Sequence, residues 1–77
     1  MTRDEVVAVL LERAAHALEA PDLGEGDDFR GHGVDSLAVV EWVMDLEDAL
    51  GVVLTETEVG AAPTVGALAD VILAKRG

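Results

Sequence analysis

The chain has 77 residues, 51% of them hydrophobic and 27% charged, which provides one small core and leaves little area for a deep, enclosed active site. Five Lys and Arg residues against 16 Asp and Glu residues give a net charge of −11, which argues against nucleic acid or an anionic membrane as a partner and favours a basic protein surface. There is no cysteine, so neither a disulfide nor a thiolate metal site can stabilise the fold.

The first predicted helix runs from about residue 3 to 19. Asp4 and Glu5 in its first turn suit the positive end of a helix dipole, and Pro21 disfavours continuation beyond Ala20. The apolar residues at helical spacing, which should form the buried side, are Val7, Leu10, Leu11, Ala14, Ala17 and Leu18.

Residues 21–34 form a long predicted loop, rich in glycine and acidic residues. A connection of this length in a compact domain calls for a functional or packing reason. We expect Leu23, Phe29 and Val34 to anchor it to the core.

The second predicted helix begins at Ser36 and ends at about Leu50, with Asp35 as N-cap and Gly51 just past its end. One apolar stripe should be buried: Val39, Trp42, Val43, Leu46 and Leu50. A second stripe, which we call the docking strip, is formed by Leu37, Val40 and Met44. Glu41, Glu47 and Asp48 flank this strip, so we predict that it stays near solvent and binds a partner.

The rest of the chain predicts a short helical turn over Thr55–Val59, before Gly60, and a last helix after Thr64 as N-cap. Its buried stripe would be Val65, Leu68, Ala69 and Ile72, with Lys75 and Arg76 at the C-terminal end, where the dipole favours cations. The prediction is an all-α fold with three main helices, one short helix and a long first loop.

Ser36 stands directly behind a glycine-rich loop, at the start of a helix. Free backbone N–H groups and the positive end of the dipole favour an anion such as a phosphate ester at this position. The simpler interpretation is that Asp35 and Ser36 only cap the helix.

A wider pattern resembles the acyl carrier protein family over essentially all 77 residues. It consists of Gly33-Val34-Asp35-Ser36-Leu37, then Val40-Glu41, Val43-Met44 and Leu46-Glu47, and finally Thr64-Val65-Gly66 at the last helix. The resemblance implies a four-helix bundle of acyl-carrier type, with residues 1–77 as a single carrier domain.

The resemblance also implies that Ser36 carries a covalent 4′-phosphopantetheine arm, transferred from coenzyme A by a phosphopantetheinyl transferase. The thiol of the arm would hold acyl or aminoacyl intermediates as thioesters, and the carrier itself would not be an enzyme. Asp35 would support the magnesium-dependent transfer.

The implied partners, besides the transferase, are acyltransferase, ketosynthase or ligase-type enzymes with basic docking patches. They would dock on Leu37, Val40, Glu41, Met44, Glu47 and Asp48. The charge pattern fits this role, because no Lys or Arg occurs from Gly31 through Ala74. We expect a monomeric, cytoplasmic protein, since no apolar run reaches the roughly 18 residues of a membrane span and the N-terminus lacks signal-peptide order.

Three positions depart from the family pattern. His32 stands where the family often has Leu, Ala38 stands where fatty-acid carriers usually have Asp, and Trp42 replaces a smaller aliphatic residue. These departures favour a dedicated carrier of a polyketide or related specialised pathway over fatty-acid biosynthesis. Met1 near the start of the first helix and the end of the chain just after the last helix suggest a discrete protein, although an excised module domain would look similar. We hypothesise that Trp42 fills space which would otherwise admit a long acyl chain, so that the cargo is short or polar; a strong Trp42 shift on octanoyl loading would contradict this.

Three rival interpretations of the sequence exist. A calcium loop is suggested by Asp22, Glu25, Asp27 and Asp28, but their spacing is not that of an EF-hand. A serine hydrolase lacks its Gly-x-Ser-x-Gly elbow, and neither His16 nor His32 has an evident role as a base. The serious alternative is a non-catalytic helical protein-interaction adaptor without a prosthetic group.

Overall fold

A computed structural model describes residues 1–30 and 34–76 and contains four helices within them: α1 (Arg3–Ala17), α2 (Ser36–Leu50), α3 (Glu56–Ala61) and α4 (Val65–Arg76). These described residues include no strand. The predicted all-α fold is confirmed, with its three main helices and one short helix. None of the helices described has both the length and the apolar character that crossing a membrane requires.

Helix α1 begins at a capping box. The Thr2 hydroxyl accepts a hydrogen bond from the Glu5 N–H at 3.2 Å, and the Glu5 carboxylate accepts one from the Thr2 N–H at 2.8 Å. The helix ends at Ala17, so the predicted end at residue 19 is wrong. Glu19 has a φ of 52°, in the left-handed region, and a residue in that conformation cannot continue a right-handed helix.

Helix α2 has the predicted boundaries. Asp35 Oδ1 accepts a hydrogen bond from the Leu37 N–H at 2.9 Å, which is N-cap geometry. Gly51 ends the helix in the left-handed conformation (φ 66°, ψ 36°), which only glycine adopts without steric cost.

Helix α3 differs from the prediction at both ends. Thr55 is its N-cap rather than its first residue, because the Thr55 hydroxyl accepts from the Glu58 N–H at 3.1 Å and the Glu58 carboxylate accepts from the Thr55 N–H at 2.9 Å. The helix then continues through Gly60 to Ala61, so the predicted turn Thr55–Val59 began one residue early and ended two residues early.

Helix α4 starts after Thr64, as predicted, and the Thr64 hydroxyl accepts from the Ala67 N–H at 3.1 Å. Its first two N–H groups are bound by the segment that joins α1 to α2, which we call the first connector. The Val65 N–H donates to the Asp27 carbonyl at 3.0 Å, and the Gly66 N–H donates to the Glu25 carbonyl at 2.8 Å. The connector therefore satisfies two otherwise unpaired donors of the helix end.

The core lies where α1 packs against α2 and α4, while α3 rests on α4. Trp42 is its largest fully buried side chain; its Nε1–H donates to the Leu10 carbonyl at 3.1 Å, and its ring lies 5.1 Å from that of Phe29. The predicted stripe of α4 is buried throughout. In the stripes of α1 and α2 and among the loop anchors, the predicted burial is wrong at five positions. These side chains are only half-buried: Leu11, Ala17, Val34, Val39 and Val43.

Candidate functional site

Ser36 is the first residue of α2, and its side chain is exposed. The first turn of α2 contains no acidic residue, so the only carboxylate immediately beside Ser36 in sequence is that of the N-cap, Asp35. The positive end of the helix dipole therefore faces the hydroxyl with little opposition along the helix. An anionic ester on Ser36 Oγ would be stabilised there.

A small hollow of about 230 Å³ adjoins Ser36. It is lined by Arg30, Val34, Ser36 and Val39. The hollow combines two aliphatic walls with one cation, which is a suitable surrounding for a group with both an anionic and an apolar portion.

A larger open groove, of about 350 Å³, runs between α2 and α3. Two residues, Arg30 and Val39, line both this groove and the hollow beside Ser36, so the two concavities are neighbours. The other residues that line the groove are Phe29, Val40, Val43, Met44, Glu47, Leu54, Thr55, Glu56, Val59 and Gly60.

Arg30 joins the first connector to the end of α3. Its Nη1 donates to the Val59 and Gly60 carbonyls at 3.0 and 3.3 Å, and its Nη2 donates to the Ala62 carbonyl. Its Nε donates to Asp28 at 3.1 Å, and the guanidinium lies 4.6 Å from the centre of the Phe29 ring. A cation at the last carbonyls of a helix satisfies their unpaired oxygens, and nothing in the sequence pattern pointed to this arrangement.

Residues 5–72 match the family described as the phosphopantetheine attachment site. The chain belongs to this family. A search of curated proteins found no match. Domains of this family are the attachment sites of a covalent 4′-phosphopantetheine group, and they are carriers rather than enzymes.

The docking strip of this carrier domain is exposed, as predicted. Leu37, Val40 and Met44 expose 61%, 53% and 59% of their surface. Three large apolar side chains on one helix face lose water when a partner covers them, which favours association. Whether partners use the strip stays a prediction.

The carboxylates of α2 fall into two groups. Asp45 forms an ion pair with Arg13 at 2.6 Å, and Glu47 accepts a hydrogen bond from the Leu54 N–H at 2.8 Å. Within the parts of the chain described, Glu41 and Asp48 make no hydrogen bond or ion pair, and both are exposed. The predicted docking residue Glu47 thus has a structural contact, whereas Glu41 and Asp48 are available to a partner.

Trp42 lies beneath the site rather than in it. The ring contacts Phe29, which lines the groove, but Trp42 itself is fully buried and does not line it. The indole therefore occupies core space between α1 and α2 and leaves the groove open. A cargo that enters this groove has no need to displace Trp42.

Glu25 and Asp27, two acidic residues of the first connector, bind different partners within the protein. Glu25 pairs with Arg3 at 2.7 Å, while Asp27 accepts from the Gly24 N–H at 2.8 Å. Within residues 1–30 and 34–76, no group of three or more His, Cys, Asp or Glu residues is placed to hold a metal ion. His16 is exposed, and His32 lies outside the described residues.

Proposed function

We propose that Ser36 is the attachment point of the 4′-phosphopantetheine arm and that residues 1–77 act as one carrier domain. The observation that carries this proposal is the exposed Ser36 hydroxyl at the first position of α2, beside the hollow that Arg30 helps to line. Ser36 is also the only serine in the chain.

The residues around Ser36 have separate tasks in this proposal. Ser36 Oγ would attack the phosphorus of coenzyme A that bears the pantetheine, lose its proton to solvent and displace adenosine 3′,5′-bisphosphate. The N-terminal end of α2 would stabilise the negative charge of the phosphodiester that is formed. Asp35 caps the helix through Leu37 and, by resemblance to the family, supports the magnesium-dependent transfer. Arg30, Val34 and Val39 would border the arm where it leaves the serine. The arm supplies a terminal thiol on which acyl or aminoacyl groups are held as thioesters.

The partners that fit this surface are a phosphopantetheinyl transferase and acyltransferase, ketosynthase or ligase-type enzymes with basic patches. They would contact the docking strip together with Glu41 and Asp48, while Glu47 borders the groove. Ala38 leaves one negative charge fewer beside Ser36 than fatty-acid carriers have, which favours a polyketide or related specialised pathway. A monomeric state and a cytoplasmic location stay predictions.

The test is transfer of the arm. We expect the protein, incubated with coenzyme A, magnesium and a broad-specificity phosphopantetheinyl transferase, to gain the mass of one phosphopantetheinyl group by intact mass spectrometry. Ser36→Ala should gain none, because it lacks the accepting oxygen. Thr57→Ala removes another exposed hydroxyl, on α3, and should be modified like the parent.

Two outcomes would contradict the proposal. An unmodified parent protein would favour the helical adaptor without a prosthetic group. A modified Ser36→Ala variant would place the arm on another residue.

A further inference from the structure

Arg30 lies at the junction of the two concavities of the site. It lines the hollow beside Ser36 and also the groove between α2 and α3, and among the described residues Val39 is the only other one that lines both. A group tethered to Ser36 that extends from the hollow into the groove would therefore pass close to Arg30 and Val39.

The guanidinium has one donor to spare at this junction. An arginine has five N–H donors. Four are used in the contacts of Arg30 with Asp28, Val59, Gly60 and Ala62, and the second Nη2–H has no hydrogen-bond partner among the described residues. The side chain is 36% exposed, so water can reach this donor until another group covers it.

The charges around the groove limit what can cover that donor. Glu47 and Glu56 also line the groove, so two carboxylates oppose the single cation Arg30. An acyl group that bears a carboxylate would be repelled by the two glutamates. A saturated acyl group would displace water from the free N–H without replacing its hydrogen bond, which is unfavourable.

Building on the proposed function, we propose that Arg30 is a specificity-determining residue for the cargo. It would favour an acyl group with an uncharged oxygen acceptor, such as a β-oxo acyl group, over saturated or carboxylate-bearing acyl groups of similar size. The oxygen accepts the hydrogen bond of the free N–H, and a site with such a donor discriminates against an analogue that lacks the acceptor.

The experiment compares four forms of the unaltered protein. Ser36 is loaded by the transferase from coenzyme A or from its 3-oxobutanoyl, butanoyl or malonyl thioester, and intact mass confirms each product. Two quantities are measured: the ¹⁵N chemical shift of Arg30 Nε, and the rate of thioester cleavage by hydroxylamine relative to the same thioester on free pantetheine. We expect only the 3-oxobutanoyl form to shift Arg30 Nε from its value in the free-thiol form. Its cleavage should slow by about tenfold, the ratio that a hydrogen bond to a charged donor can give.

Two variants test whether Arg30 causes the difference. In Arg30→Gln the 3-oxobutanoyl thioester should lose its protection, and its cleavage rate relative to free pantetheine should rise to that of the butanoyl thioester. Arg13→Gln removes a cation that pairs with Asp45, outside the groove. The 3-oxobutanoyl thioester on this variant should be cleaved at the same rate as on the parent. The comparison of cargoes in the unaltered protein still decides the proposal if Arg30→Gln does not fold.

The outcomes separate this inference from the proposed function. If Ser36 is loaded but all three thioesters are cleaved with equal protection, the role of Arg30 is overturned and the attachment site stays intact. The same conclusion follows if Arg30 Nε has the same ¹⁵N chemical shift in the 3-oxobutanoyl form and in the free-thiol form. Absence of loading would overturn both.

Discussion

Asp35 has one observed task, and a second task is proposed for it. Its Oδ1 accepts the Leu37 N–H at 2.9 Å and so caps α2. Its proposed second task is to support arm transfer, for which its negative charge matters. Asparagine retains an oxygen acceptor and is as good an N-cap as aspartate, but it carries no charge. The two tasks can therefore be separated by substitution.

We expect Asp35→Ala to lower the free energy of unfolding by about 1 kcal/mol, because the Leu37 N–H loses its acceptor. Urea unfolding followed by the fluorescence of the buried Trp42 measures this change. Asp35→Asn should keep the stability of the parent and yet slow arm transfer. Equal transfer rates for Asp35→Asn and the parent would limit Asp35 to capping.

At the scale of the element, α3 is the helix held most by polar contacts. It has six residues and none of them is fully buried. Its start is fixed by the capping box of Thr55 and Glu58, and Lys75 of α4 pairs with Glu58 at 2.9 Å. Its end is fixed by Arg30. Since little apolar burial stabilises α3, we expect it to open more readily than the other helices.

The opening of α3 should depend on pH through Glu58. Hydrogen bonds from the Thr55 backbone and then from Lys75 lower the pKa of Glu58. A lowered pKa in the folded state means that the contribution of Glu58 is complete above the ordinary glutamate value, about 4.3, and is lost as the pH falls through the lowered pKa. NMR chemical shifts of the α3 amides should therefore move toward unfolded values on acidification.

Two substitutions test this pH dependence. Glu58→Gln should weaken α3 at neutral pH, because the pairing with Lys75 loses its charge, and should reduce the further change with acid. Glu56→Gln is a matched control in the same helix, since Glu56 is exposed and has no partner among the described residues. An acid transition of α3 that is unchanged in Glu58→Gln would contradict the prediction.

At the scale of the whole molecule, the cations of the chain are engaged internally. All five Lys and Arg side chains bind carboxylates or backbone carbonyls. Arg3, Arg13, Arg30 and Lys75 form ion pairs, and Arg76 donates to the Leu50 carbonyl at the end of α2. The Lys and Arg side chains are therefore held in place by internal contacts and do little to screen the acidic surface from a partner. The net charge of −11 should steer basic surfaces toward the protein.

We expect Glu41→Lys and Asp48→Lys to slow association with the transferase severalfold at low salt, because each reverses an unpaired charge beside the docking strip. Stopped-flow association rates measure this effect, and the difference should shrink at high salt. Asp22→Lys makes the same change in net charge outside α2 and should slow association less. Equal slowing by all three variants would assign the effect to net charge alone.

The helices could be predicted from the sequence because the signals that define them are local. The periodicity of apolar residues, the Asp35 cap and Gly51 predicted α2 correctly. The end of α1 was missed because Glu19 adopts a left-handed conformation that glutamate seldom takes. The start of α3 could have been predicted from Thr55-x-x-Glu58, which is a capping-box pattern. The contact of Arg30 with α3 could not, because the carbonyls that it binds there lie about thirty residues away and meet it only in the folded chain.

The hydrogen bonds from Val65 and Gly66 to the first connector affect the order of events during synthesis. The connector leaves the ribosome well before α4, so its Glu25 and Asp27 carbonyls stay with water until α4 emerges. These two carbonyls thus find their protein donors only once residues 65 and 66 have been made and have left the ribosome. A transferase that recognises the assembled bundle would act only after α4 has emerged.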